Sequence, residues 1–135
     1  MANALYDTGR NAFLIGSINW LTTPVWAVLV DTGLYTPNLA TDQFLQIIPV
    51  GARVSSSGPL TGLSALAGVA DAADVSFTAV VGPTVEAIVL YVSTGVDATS
   101  QLIAYIDTAT GLPFTPSGGN VAIQWDNGAN KIFKL

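Results

Sequence analysis

The chain predicts an all-β fold, a β-sandwich or barrel, with a short N-terminal helix and one helical turn near residues 41–48. Three observations lead there. From Gly51 onward, short β-favouring runs alternate with turn residues, and no long helical period occurs. The runs fall at 53–56, 63–67, 75–81, 84–93, 101–107, 120–125 and 130–135, separated by pairs such as Gly58-Pro59, Gly82-Pro83 and Gly118-Gly119. Many short strands at this spacing in a small domain close on themselves as a sandwich or barrel. Finally, VWAVLV at 25–30 is apolar in both alternating sets, Trp26/Val28/Val30 and Val25/Ala27/Leu29, which predicts a strand covered on both faces.

The elements follow in order. Residues 3–15 place Leu5, Ala12 and Phe13 near helical spacing, with Gly16 positioned to end the turn. Extended chain is expected at 17–20 and again at 25–31. Thr41 is a candidate cap for a helical turn that points Phe44, Leu45 and Ile48 inward until Pro49 stops it. At the C-terminal end Val121, Ile123 and Trp125 alternate with polar or small residues, and Asp126-Asn127-Gly128 is a hairpin turn signal toward 130–135. Lys131 and Lys134 give that last strand the charges that protect a sheet edge.

At 135 residues the chain fits one domain, 1–135. Only 10% of residues are charged while 50% are hydrophobic, so an isolated monomer would be short of surface charge. The excess predicts burial against neighbouring subunits. Four basic residues, Arg10, Arg53, Lys131 and Lys134, face nine acids for a net charge of -5, too few and too scattered to replace counterions along nucleic acid. Cysteine and histidine are absent, which removes thiolate metal sites, cysteine nucleophiles and histidine-based acid–base pairs. Residues 11–30 carry no charge and have membrane-spanning length, yet Thr22-Thr23-Pro24 interrupts any helix there, so no span is expected. No signal peptide is expected either, since Asp7 and Arg10 precede a short apolar stretch without a small-residue cleavage site.

Asp31-Thr32-Gly33 follows a hydrophobic strand, as the catalytic aspartate does in retropepsin-like aspartic proteases, where two carboxylates from two subunits share a proton. Bulky Leu34 and Tyr35 follow, and the hydrophobic elements that would support such a loop, Val80-Val81 and Ile47-Ile48, run into Pro83 and Pro49. The simpler reading is a turn in which Asp31 binds local amides and Gly33 supplies a positive φ. Asp71 and Asp74 offer too few oxygens for calcium and read as a solvated turn. Glu86, the sole glutamate, reads as outward-facing or interfacial. Trp20, Trp26 and Trp125 with Tyr35, Tyr91 and Tyr105 could stack on sugars, although core packing is the ordinary role of Trp26 and Trp125. SGGN at 117–120 leads into a strand and so makes no phosphate cradle.

Three longer segments carry a resemblance: MANALYDTGRNAFLIGSINW, VLVDTGLYTPNLATDQFLQIIPVGARV and LIAYIDTATGLPFTPSGGNVAIQWDNGANKIFKL. Together they resemble a family of small virion proteins of tailed bacteriophages, most similar to head decoration or cement proteins. The resemblance implies a β-sandwich of jelly-roll type on the outer capsid surface, made in the host cytoplasm, with the major capsid protein and copies of itself as partners in a homo-oligomer. It brings no catalytic residue, metal or cofactor. The expected role is a non-enzymatic clamp. Contact is expected through Leu5 and Phe13 near the N-terminus and Ile132, Phe133 and Leu135 at the other end. The alternatives are a tail or baseplate component, a glycan-binding adhesin and, more remotely, the protease using Asp31.

Overall fold

The apolar run at 25–30 is strand β2 (Val25–Val30), held between β3 (Arg53–Pro59) and β7 (Ala87–Val92). In the computed structural model, which describes residues 3–135, the chain is mostly β with one short helix, and its sheets are antiparallel. The largest sheet runs β1-β8-β7-β2-β3, with β1 (Ala4–Leu5) and β8 (Leu102–Ile106) completing it. A three-stranded sheet orders β10 (Phe133–Lys134), β5 (Val69–Asp71) and β4 (Ser64–Leu66). A third joins β6 (Val75–Phe77) to β9 (Val121–Ile123).

Both faces of the large sheet are covered, as the composition of β2 requires. Val25, Ala27 and Leu29 join Ile88, Leu90 and Ile103 in a core shared with Ala70, Phe77 and Ile123 of the smaller sheets and with Ile132 just before β10. Val28 and Val30, with Val89 and Tyr91, face the other way, onto Tyr35, Leu45 and Ile48 from the long connection between β2 and β3. That connection has little regular structure beyond two single turns, yet it closes half the interior. At full burial each Val, Leu or Ile side chain contributes about 1.5–3 kcal/mol, so both layers are needed to keep the sheet out of water.

The N-terminal helix is α1 (Asp7–Leu14), shorter than the 3–15 span expected. It ends as foreseen. Gly16 sits at φ +77°, and the N–H groups of Ile15, Gly16 and Ser17 return to the carbonyls of Asn11, Phe13 and Ala12. Leu5 lies outside the helix, in β1, where it pairs with Ala104 and is buried. The helix rests on β8 at a bulge: Leu90 pairs with Ala104 but Tyr91 with Leu102, leaving Ile103 as the extra residue. The Ile103 carbonyl freed there accepts the Tyr6 N–H at 3.0 Å.

Gly9 permits that approach. A Cβ at this position would lie 2.7 Å from the Leu102 carbonyl oxygen and 3.0 Å from the Ile103 Cα. Gly9→Ala should therefore destabilise by about 1–3 kcal/mol through forced displacement of the helix. Alanine's helix propensity returns at most about 1 kcal/mol. Urea denaturation followed by circular dichroism measures the difference, and a stabilised variant would show that the helix shifts freely on β8.

Several expected elements change. The Asp126-Asn127-Gly128 hairpin does not form: β9 pairs with β6 and β10 pairs with β5. Residues 17–20 form turns, with Trp20 buried, and contain no strand. The turn at Leu45–Ile47 is a 3₁₀ turn preceded by Phe44, with no side-chain cap from Thr41; Leu45 and Ile48 do point inward, while Phe44 is half-buried. Among the described residues no helix is long and apolar enough to cross a membrane.

Candidate functional site

Asp31 ends β2, and its carboxylate is engaged locally. Its Oδ1 accepts the Gly33 N–H at 2.8 Å, closing a turn, while the Asp31 N–H donates to the Ala52 carbonyl at 2.9 Å. Glu86 reaches the same turn from the start of β7, and its Oε2 accepts the Thr32 N–H at 2.9 Å. Gly33 has no positive φ, contrary to expectation. Its lack of a side chain has another use, since a Cβ there would stand 3.1 Å from Asp31 Oδ1. Glu86 is half-buried and turned onto this loop, so it is a turn-holding group in place of the outward residue expected. Chemically, the pair anchors two backbone amides.

The most unusual polar group is one the sequence did not single out. Tyr6, Tyr35 and Asp42 form a buried chain: the two hydroxyls meet at 2.8 Å, and Tyr35 donates to Asp42 Oδ2 at 2.7 Å. The same carboxylate oxygen accepts the Asn38 N–H at 2.9 Å. Thr8 Oγ1 donates to the Asp42 carbonyl at 2.9 Å, so the chain fastens the covering connection to the N-terminal segment. Nothing local in the sequence links Tyr6 to Tyr35, which only the fold brings together.

Burial raises the hydroxyl pKa values of Tyr6 and Tyr35 well above the usual 10.0, and Tyr105 moves the same way by burial and then by the nearby carboxylates of Asp107 and Glu86. Each keeps its proton to higher pH folded than unfolded, so this contribution is complete below the unfolded value and is lost as pH rises past it. Stability should fall above pH about 10, by up to about 1.4 kcal/mol per pH unit for each such hydroxyl. Denaturation midpoints across that range, with tyrosinate absorbance tracking the unfolding transition, provide the check. Tyr6 or Tyr35 losing its proton while the chain remains folded would contradict it.

The aromatic set does not form a surface platform. Trp20, Trp125, Tyr35, Tyr91 and Tyr105 are buried and Trp26 is half-buried. Trp125 Nε1 donates to the Ala73 carbonyl at 3.0 Å, and Asp74 Oδ1 accepts the Trp125 N–H at 3.1 Å. Asp74 thus anchors β9's end, and Asp71 belongs to β5 instead of a solvated turn. Asp71, Asp74 and Asp126 border a polar depression of about 500 Å³, but no group of three acidic, histidine or cysteine residues suited to a metal occurs among the described residues. A larger groove of about 600 Å³ runs beside α1, bordered by Asn11, Ile15, Thr94 and Gln101. Gln101 is occupied there, donating to Thr8 Oγ1 and to two backbone carbonyls.

Of the five expected contact residues, Leu5, Ile132 and Phe133 lie in the core and Phe13 is half-buried against it. Phe133 meets the Phe13 ring at 6.0 Å and the Trp20 ring edge-on at 5.2 Å, so both ends of the chain interlock. Leu135 alone is open, at 56% exposure. Exposed apolar side chains occur elsewhere: Leu14 and Ile15 at the end of α1, Leu34, Ile47 and Val50 on the covering connection, and Leu66 on β4. No protein-family model matches this chain, and no curated protein matches it significantly.

Proposed function

We propose that the protein is a bacteriophage capsid decoration protein that binds across neighbouring major capsid protein subunits and stabilises the head. The observation that carries this reading is apolar exposure without charge. Leu34, Ile47 and Val50 stand open on one connection whose residues 43–52 include no ionisable side chain. Burying such surface against another protein is favourable at about 25 cal/mol per Å², with few charges to desolvate. The segments that resemble small phage virion proteins supply the identity of that surface, the outer capsid. Individual contacts can be weak, because a symmetric lattice makes each later contact effectively intramolecular.

In this reading the chain has no catalytic role, and it resides on the virion after assembly from the host cytoplasm. The core shared between the large sheet and the smaller ones supports a β-sandwich, and the jelly-roll connectivity is taken from the resemblance. Heads lacking the chain should bind the purified protein and then retain their DNA to higher temperature, with Val50→Asp weakening binding and leaving the fold intact. Cryo-electron microscopy that placed the protein in the tail, or heads that failed to bind it, would refute the proposal.

A further inference from the structure

We propose that β4 is a self-association edge, where a second copy of this chain adds its own β4 antiparallel across a two-fold axis. The turn after β4 decides which groups are free. Ala67 and Gly68 have φ values of +52° and +80°, a two-residue turn with both central residues left-handed, so Leu66 and Val69 form the hydrogen-bonded closing pair. Pairing alternates, which leaves Ala65 opposite Ala70 without mutual bonds. Ala70 uses its carbonyl toward β10, accepting the Ile132 N–H at 3.2 Å. By the same alternation the N–H and C=O of Ala65 face outward, at the open side of the sheet β10-β5-β4.

This edge lacks the protections of the far edge of its own sheet and of both edges of the large sheet. On the far side of its sheet, β10 ends in exposed Lys134. On the large sheet, β3 is broken by two register shifts and closes on Pro59, and β1 has only two residues. By contrast all three residues of β4 are exposed, Leu66 is 82% open, and residues 54–70 contain no charge. Exposed uncharged edges are templates for strand pairing.

Charge selects a second copy as the occupant. Two chains of net charge -5 repel wherever their acids meet, but a two-fold centred on Ala65 sets Ala65 against its own mate and Ser64 against Leu66. Beside the edge lies an open apolar depression of about 340 Å³ on the face of Ser64, Leu66 and Val69. Its charged border is one Asp71 and one Lys131, so each copy brings no net charge to the contact. In antiparallel pairing the incoming Leu66 lands on that same face, next to Ser64.

The proposal is independent of capsid binding and is tested on the isolated full chain. Sedimentation equilibrium over a concentration series should give a dimer, and Leu66→Lys and Ala65→Pro should each weaken it by about tenfold or more. Both variants should melt like the parent, since Leu66 is exposed and proline at Ala65 removes only an outward N–H. A parent chain monomeric at every concentration, or a dimer unaffected by both substitutions, overturns the proposal. So does a monomer whose binding to heads is lost in Leu66→Lys, because that outcome gives the edge to a capsid subunit.

Discussion

Trp20→Ala should destabilise the protein by about 3–5 kcal/mol, enough to unfold a substantial fraction of a domain of ordinary stability. The indole does two things at once. Its ring packs edge-on against Phe133, and its Nε1 donates to the carbonyls of Ser64 and Asp71 at 3.0 and 3.1 Å, joining the β4–β5 ladder to the turn before β2. Removing it opens a cavity and takes a donor from two carbonyls that the β4–β5 ladder also uses. Trp20→Phe retains most of the packing and should cost about 1–3 kcal/mol for the lost donor. Denaturation followed by far-ultraviolet circular dichroism distinguishes the pair. A Trp20→Ala variant as stable as the parent would mean that these sheets hold together without the indole. Any ligand-binding loss in that variant would therefore report on folding, as a sugar-stacking role for Trp20 is incompatible with its burial.

Asp42→Ala should be comparably damaging, at about 3–5 kcal/mol, because two charge-assisted bonds of about 1.5–3 kcal/mol each disappear and the Tyr35 hydroxyl loses its acceptor in a dry interior. Tyr6→Phe removes one end of the same chain and should cost only about 1 kcal/mol. The ordering separates a network anchored at the carboxylate from one in which each hydroxyl matters equally. Equal losses in the two variants would refute the anchoring. Hydrogen exchange at Asn38 provides a local readout, since its amide donates to Asp42 and should exchange faster once the acceptor is gone.

The parts of the fold legible in the sequence were those whose cause is local composition. VWAVLV announces a strand buried on both sides because no polar residue interrupts either face, and Gly16 announces a helix end because few other residues accept its φ of +77°. What failed was partner choice. Asp126-Asn127-Gly128 has the chemistry of a tight turn, yet Ile123 and Ile132 are both wanted by the shared core, and each strand pairs where that core places it. Strand β5 was hidden for a related reason: Asp71 and Asp74 look like loop residues, while the groups that engage them, Trp20 for Asp71 and Trp125 for Asp74, stand far away in the chain. Three of the five expected contact residues, Leu5, Ile132 and Phe133, lie in the core because apolarity alone does not separate core from surface. Ile132 and Phe133 are as apolar as Leu66, and only the packing shows which are covered.

Strand β2 has a consequence during synthesis. Val30 finds Arg53 on one side but must wait for Ala87 on the other, so the nascent chain carries its stickiest segment well beyond the ribosome before its second neighbour exists. No charged gatekeeper lies between Arg10 and Asp31 to discourage capture by other chains. Abundant chaperone should therefore raise the yield of native protein more than any surface substitution does, and slower translation, which prolongs the wait for Ala87, should lower it.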